Sequence, residues 1–222
     1  MLRTEDAITL PAPGPHTATV LWLHGLGADG SDFVPIVPEL GLPKNHGVKF
    51  IFPHAPVRPV TLNNGYPMRA WYDIIGLSRT GPQDTPGVRD SAKRLAGLLD
   101  AEIGAGIPST KLVIAGFSQG CAMALHTGLR FYHRLGGIVG LSGYLPVETT
   151  LKAEAHAENL ATPILLVHGT MDPVVPYAMG SGSRDILLGL GYPVEWLEYP
   201  MQHQVVLEEI EHIGRFLHRH LL

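Results

Sequence analysis

Short apolar runs that end at turn residues recur along the chain and alternate with segments of helical periodicity. The runs are mostly apolar instead of strictly alternating, which is typical of strands covered on both faces of a sheet. They cover residues 19–23, 48–52, 111–116, 137–141, 163–167 and 194–199. Strands that alternate with helices predict an α/β fold, with a mainly parallel central sheet and helices on both of its faces.

Two of the intervening segments carry a clear apolar stripe at helical spacing. The first stripe consists of Val88, Ala92, Leu95, Leu99 and Ile103. Thr85 is predicted as the cap of this helix and Pro86 as its first position, and Gly104 ends it. The second stripe, on the last helix, consists of Val206, Ile210, Ile213 and Leu217.

Residues 53–87 interrupt the alternation of strand and helix patterns. They contain scattered prolines and glycines and show little helix or strand periodicity. Loops of this length are usually functional or disordered. The segment has too many apolar side chains for a solvated linker, namely Tyr66, Met68, Trp71, Tyr72, Ile74, Ile75 and Leu77. We expect it to cover the sheet and to form one wall of a substrate pocket within a single domain of residues 1–222.

Composition limits the possible classes of protein. The 222 residues are 45% apolar, which is enough for one substantial core, and the formal net charge of −4 offers no basic face for nucleic acid. A single cysteine, Cys121, cannot form an internal disulfide, and residues 1–8 mix both charge signs without an apolar core. We therefore expect a soluble, cytoplasmic protein without a signal peptide or a transmembrane segment.

The pattern G-x-S-x-G occurs at residues 116–120 and puts Ser118 at its centre. By itself this pattern is a weak signal, but here it follows an apolar strand and precedes a good helical start. A strand, a sharp turn and a helix are what a nucleophile elbow requires, since the turn exposes the serine hydroxyl at the end of the strand. Ser118 is therefore predicted as a nucleophile, the alternative being an idle serine in a glycine-rich turn.

A serine nucleophile needs a base, and the base needs an orienting acid. In the elbow arrangement both follow the serine along the chain. Asp172 comes just after the strand that ends near residue 167, and His203 just after the strand that ends near residue 199. All three residues thus follow carboxyl ends of strands, where open α/β sheets bind ligands. The alternatives are a turn aspartate before proline and a surface histidine.

The oxyanion of a tetrahedral intermediate needs backbone N–H donors. The residue after the nucleophile normally supplies one, which is Gln119 here, and a loop after an early strand supplies the other. Residues 24–27 suit that task because their glycines permit a tight turn, and Leu26 is the predicted donor. The spacing of these glycines does not fit a phosphate-binding loop.

Other candidate residues fit less well. Twelve histidines invite a metal site, yet no H-E-x-x-H or paired ligand spacing is present, so no metal is predicted. His24 and His168 each precede a glycine at a strand end, which favours turn packing. Asp29 and Asp73 precede Ser118 and so have the wrong order for the arrangement.

Several motifs in one order make the chain similar to the acyl-protein thioesterase and carboxylesterase family of small α/β-hydrolases. They lie at residues 23–30, 54–60, 69–74, 116–120 and 168–173. The resemblance implies a triad of Ser118, Asp172 and His203, an oxyanion hole at Leu26 and Gln119, no cofactor, and hydrolysis of carboxylic esters or thioesters. It also implies an acyl channel. The resemblance implies that Ile74, Ile75 and Val174 line this channel. Trp71, from the predicted pocket wall, completes the predicted lining.

The sequence departs from the family at two points, since Gln202 and Gln204 flank His203 and Tyr144 stands where some members have tryptophan. We expect a serine hydrolase that acts through an acyl-enzyme on small esters or thioesters of short-to-medium acyl chains, or on acylated proteins. The alternatives are a lysophospholipase that acts on lipid and a catalytically idle relative that binds acyl groups or a protein. An alternative role for an exposed apolar loop at the site is a contact between the two copies of a homodimer.

Overall fold

The computed structural model describes residues 2–76 and 81–222. Its strands are β1 Leu2–Arg3, β2 Ala7–Leu10, β3 Ala18–Leu23, β4 Val48–Pro53, β5 Val57–Val60, β6 Tyr66–Arg69, β7 Leu112–Phe117, β8 Gly137–Leu141, β9 Ile164–Gly169 and β10 Val194–Tyr199. Its α-helices are α1 Thr85–Gly104, α2 Gln119–Arg130, α3 Glu148–Glu154, α4 Tyr177–Gly189 and α5 Leu207–Leu221.

Eight of the strands form one sheet in the order β1-β2-β4-β3-β7-β8-β9-β10. The strands from β4 to β10 in this order pair in parallel, and β1 and β2 add an antiparallel edge. The predicted α/β class and the mainly parallel sheet are thereby confirmed. Within the described ranges, no helix is both long enough and apolar enough to cross a bilayer.

Each face of the sheet is covered by helices. Leu21 and Leu23 of β3 belong to the core that packs against α1, α2 and α4, whereas Val20 and Trp22 belong to the core that packs against α5. Successive residues of a strand point to opposite faces, so a buried strand must be apolar at every position. This double coverage explains the continuous apolar runs in the sequence.

The parallel strands bring distant parts of the chain together at one edge of the sheet. Ser118 directly follows β7, Asp172 lies three residues after β9, and His203 lies four residues after β10. The loop that begins at His24 directly follows β3, which is hydrogen-bonded to β7. The carboxyl ends of these strands therefore share one crevice, as in other open α/β sheets.

Residues 53–87 contain strand structure that the sequence pattern did not predict. Strands β5 and β6 form a separate two-stranded antiparallel ribbon, in which Pro59 lies opposite Pro67. Proline cannot donate to a strand ladder and is confined to edges, and a two-stranded ribbon consists of edges only. Because most of its residues are exposed or half-buried, the ribbon lacks the apolar alternation by which strands are recognised.

The first residue of α1 also differs from the prediction. Asp84, not Thr85, caps the helix, since the N–H of Gly87 donates to Oδ1 of Asp84 over 2.9 Å. Thr85 and Pro86 are the first two helical residues. Aspartate is a strong N-cap because its short side chain accepts from a free N–H of the first turn.

Candidate active site

Ser118 lies on a sharp turn between β7 and α2. Its backbone has φ 55° and ψ −117°, a conformation that residues other than glycine rarely adopt. The turn is possible because two glycines leave no side chain in its way. A Cβ on Gly116 would collide with the carbonyl oxygen of Gly120, and one on Gly120 would collide with that of Leu23. The strained serine conformation is thus held by the close approach of strand and helix.

Three side chains form a continuous hydrogen-bonded chain at the carboxyl edge of the sheet. Nε2 of His203 lies 2.9 Å from Oγ of Ser118, and Nδ1 of His203 lies 2.7 Å from Oδ2 of Asp172. The carboxylate can only accept, so Nδ1 carries the proton and Nε2 is free to accept the serine proton. The imidazole ring also packs against Phe117, with 4.8 Å between ring centroids.

The carboxylate of Asp172 is fully buried and well hydrogen-bonded. Its side chain has no exposed surface, and its Oδ1 accepts from the N–H groups of Val174 and Val175 at 2.8 and 2.9 Å. A buried charge needs such partners to offset its desolvation. These two bonds fix one oxygen, so the other remains directed at His203. His168 donates from Nε2 to the carbonyl of Val175 over 2.9 Å, and so serves the turn as predicted.

A cavity of about 290 Å³ lies beside Ser118 and His203. Its other lining residues are Gly25, Leu26, Ala28, Asp32, Leu62, Tyr72, Ile74, Phe117, Gln119, Tyr144, Val174 and Val175. The lining is mainly apolar, which suits the alkyl part of a substrate. Of the residues predicted from the sequence, the structure brings Leu26, Gln119, Ile74 and Val174 together with the serine at this cavity.

Two predicted lining residues lie elsewhere. Trp71 is completely buried and does not line this cavity. Its indole N–H donates to the carbonyl of His24 over 2.9 Å, and its ring packs against the His24 ring. Ile75 is 41% exposed and is not among the residues that line this cavity. Leu77, which the apolar content of the segment also singled out, is outside the described residues.

Several cavity residues were not singled out from the sequence. Leu62 follows β5, Phe117 directly precedes the serine, and Asp32 lies in the loop after β3. Of these three, Phe117 could have been found from the sequence, since the residue next to a serine on a sharp turn between strand and helix must lie beside that serine. Asp32 is the one carboxylate in the described lining, and burial together with nearby Asp29 raises the pKa of its side chain.

Cys121 is one turn of helix beyond Ser118, but its environment excludes it as a nucleophile. The thiol is buried, and burial raises its pKa to about 12. The thiolate is the reactive form of cysteine, so this side chain is inert at neutral pH. Among the residues that the structure describes, no group of three or more His, Cys, Asp and Glu side chains has the arrangement of a metal site.

Comparison with known proteins gives a consistent family. The sequence model of the phospholipase/carboxylesterase family matches residues 5–221. The chain is 42% identical to acyl-protein thioesterase 1 of Yarrowia lipolytica in an alignment of 221 positions that covers 97% of this chain and 97% of that protein. It is 40% identical to acyl-protein thioesterase 1 of Gibberella zeae, over 96% of this chain and 95% of that protein.

Solved structures agree with this assignment. The crystal structure of Zea mays acyl-protein thioesterase 2 superposes with a TM-score of 0.87 at 37% identity, covering 97% of this chain and 99% of that one. The crystal structure of Arabidopsis thaliana SOBER1 superposes with a TM-score of 0.88 at 32% identity, covering 93% and 100%. The chain therefore belongs to the phospholipase/carboxylesterase family, and it is an α/β-hydrolase that cleaves esters or thioesters.

Proposed function

We propose that Ser118, His203 and Asp172 are the catalytic triad of this hydrolase. The observation that carries the proposal is the unbroken chain of hydrogen bonds from Asp172 through His203 to Ser118, at 2.7 and 2.9 Å, beside an apolar cavity. A nucleophile, a base in hydrogen-bond reach of it and an acid that orients the base are the three parts that acyl transfer by serine requires.

The first half of the reaction acylates the enzyme. Oγ of Ser118 attacks the substrate carbonyl carbon while its proton passes to Nε2 of His203, and the electron pair of the carbonyl moves to the oxygen. The N–H groups of Leu26 and Gln119 stabilise this oxyanion. The intermediate collapses, the bond to the leaving oxygen or sulfur breaks, and His203 returns the proton to the leaving group.

The second half hydrolyses the acyl-enzyme by the same route. His203 takes a proton from water as the water oxygen attacks the acyl carbon, and the acid product leaves as the proton returns to Ser118. Asp172 holds His203 in the correct tautomer and stabilises the imidazolium that forms in each step. Every step uses groups of this chain, so the proposed mechanism requires no cofactor.

The substrates we propose are small esters or thioesters with acyl groups of short to medium length. A cavity of about 290 Å³ is at the lower end of the range for small-molecule sites, ~300–1,000 Å³. Leu62 and Val174 line it and are each 46% exposed, so its mouth is open to solvent. The names of the thioesterase relatives extend the proposal to acylated proteins, whose polypeptide would remain outside this mouth.

Labelling with a fluorophosphonate probe tests the triad directly. The probe phosphonylates an activated serine with loss of fluoride, so wild-type protein should be labelled and Ser118→Ala should be neither labelled nor active on a p-nitrophenyl ester. Ser142→Ala is the matched control, because Ser142 is a buried serine with a positive φ of 47° at the end of the adjacent strand β8. It should keep both labelling and turnover.

The same experiment separates the enzyme from an idle relative. A wild-type protein that is neither labelled nor active would indicate that the chain only binds acyl groups or a protein. Substantial turnover by Ser118→Ala would show that another group is the nucleophile.

A further inference from the structure

The segment after β6, residues 70–76, is hydrogen-bonded to the loop after β3 and to the first turn of α2, which carry the two proposed oxyanion donors. At the β3 loop, the indole N–H of Trp71 donates to the carbonyl of His24 over 2.9 Å, and the N–H of Gly27 donates to the carbonyl of Arg69, the last residue of β6, over 2.9 Å. These two bonds hold the peptide units on either side of the one that carries the N–H of Leu26.

That central peptide unit is held as well, by the imidazole of His24. Nδ1 of His24 lies 2.7 Å from the carbonyl oxygen of Gly25, and Nε2 accepts from the N–H of Ala55 over 3.0 Å. Nδ1 is therefore the donor, in a neutral ring. Burial lowers the pKa of His24 to about 4, which keeps this form at neutral pH. In a trans peptide the C=O and the N–H point in opposite directions, so a fixed Gly25 carbonyl sets the direction of the Leu26 N–H.

On the other side, the side chain of Gln119 joins the segment to the first turn of α2. The backbone N–H of Trp71 donates to Oε1 of Gln119 over 2.9 Å, and Nε2 of Gln119 donates to the carbonyl of Tyr72 over 2.8 Å. Gln119 is 2% exposed, so these bonds form away from competing water. Gln119 thus contributes its backbone to the proposed oxyanion hole and its side chain to the connection.

We propose that His24, Trp71 and the side chain of Gln119 are positioning residues that hold the two oxyanion-binding N–H groups in register. The proposal rests on the proposed function, since it assumes that Leu26 and Gln119 are the donors. Preorganised donors are effective because they need no reorganisation as charge develops, and a misplacement of about 1 Å can cost ~100-fold in rate. The segment after β6 is therefore the brace of the oxyanion hole.

The sharpest test removes the indole N–H while it keeps an aromatic ring. Trp71→Phe should lower kcat by about 10- to 100-fold with KM within about twofold, since the interaction matters in the transition state. Trp22→Phe is the matched control. Trp22 is 1% exposed, but its indole N–H has no hydrogen-bond partner among the described residues. The Trp22→Phe variant should lose about as much packing as Trp71→Phe and should keep the kcat of wild type.

Two readouts distinguish positioning from packing and from contact with substrate. A trifluoromethyl ketone forms a hemiketal oxyanion on the nucleophile, and its affinity should fall by the same factor as kcat/KM in Trp71→Phe. The loss in kcat should also be equal for acetate and hexanoate esters, because the oxyanion is common to all acyl chains. A loss that resides in KM and grows with chain length would instead make Trp71 part of the acyl wall and overturn the proposal.

A second variant covers the case in which Trp71→Phe does not fold. Gln119→Met keeps the backbone N–H of residue 119 and removes both side-chain bonds, so it should show the same kcat loss and the same weaker ketone binding. Gln83→Met is its control, because Oε1 of Gln83 also accepts from a backbone N–H, that of Val147, outside the brace. Unchanged kcat in Gln119→Met, or equal losses in each variant and its control, would overturn the proposal.

The outcome for Ser118→Ala keeps the two proposals apart. If Ser118→Ala is inactive and Trp71→Phe retains wild-type kcat and ketone affinity, only the brace is wrong. If Ser118→Ala remains active, the proposed triad itself fails.

Discussion

The hydroxyl groups of Tyr72 and Tyr144 share a hydrogen bond of 2.8 Å beside the cavity, although the two residues are 72 positions apart. Both side chains are almost completely buried, and burial raises the pKa of each phenol. The bond connects the segment after β6 with the loop after β8. It therefore links two walls of the cavity.

This pair predicts a non-additive effect on stability. Tyr72→Phe or Tyr144→Phe leaves one buried hydroxyl unpaired, which costs about 1–3 kcal/mol, whereas removal of both hydroxyls is expected to be nearly neutral. Urea unfolding of the two single variants and the double variant measures the cycle. Tyr132→Phe is the control, since Tyr132 is 50% exposed and should change little. Additive losses in the double variant would contradict the pairing.

The proposed orienting role of Asp172 predicts a large effect on kcat. Asp172→Asn should lower kcat by something like 10⁴-fold, because the amide no longer selects the tautomer in which Nε2 accepts the serine proton. Steady-state kinetics on a p-nitrophenyl ester give the measurement. Asp185→Asn, which changes an exposed aspartate, should be as active as wild type. Activity of Asp172→Asn within tenfold of wild type would mean that another acid orients His203.

Acyl-chain preference should depend on the residues that line the cavity. Each methylene that is buried contributes about 0.8 kcal/mol, so kcat/KM should rise roughly fourfold per carbon and level off where the cavity ends. Val174→Asp should flatten this rise and leave acetate esters nearly unchanged, because an acetyl group is too short to reach the wall.

Ile75→Asp is the matched control for that experiment, since Ile75 is 41% exposed, close to the 46% of Val174, but does not line the cavity. The chain-length dependence should survive in this variant. If Ile75→Asp flattens it and Val174→Asp does not, substrate lies against the side of residue 75, as the family resemblance implied.

The buried carboxyl group of Glu209 should make the stability of the protein depend on pH. The side chain of Glu209 is fully buried, and among the described residues only one of its oxygens accepts a hydrogen bond, from the N–H of Val206. Burial raises its pKa from 4.5 to about 8. The folded state therefore holds a proton that the unfolded state releases between these two values. Stability should fall as pH rises through this window, by at most about 1.4 kcal/mol per pH unit.

Glu209→Gln should remove this contribution. In urea unfolding from pH 5 to 8.5, the free energy of unfolding of the variant should therefore increase relative to that of wild type as pH rises. Glu208→Gln, at the exposed neighbouring position of the same helix turn, should follow the wild-type curve. A constant difference between wild type and Glu209→Gln across this range would show that Glu209 does not hold the proton.

The order of the elements and the chemistry at the strand ends could be predicted from sequence alone. The apolar run at residues 137–141 coincides with β8, because a strand buried on both faces is apolar along its whole length. The run at residues 194–199 coincides with β10, a half-buried edge strand whose apolar residues are interrupted by Glu195 and Glu198. The common location of Ser118, Asp172 and His203 follows from the direction of the strands that precede them. In a parallel sheet, residues just after different strands reach a common edge whatever their separation in the chain.

Tertiary structure alone decided which side chains face the cavity. The segment after β6 has no regular period, so its sequence does not distinguish Trp71, which is buried in the brace, from Ile74, which lines the cavity. That choice depends on bonds from Trp71 to His24 and Gln119, residues 47 and 48 positions away. Periodicity reports only local geometry, whereas these bonds exist only after β3, β7 and the segment after β6 have come together.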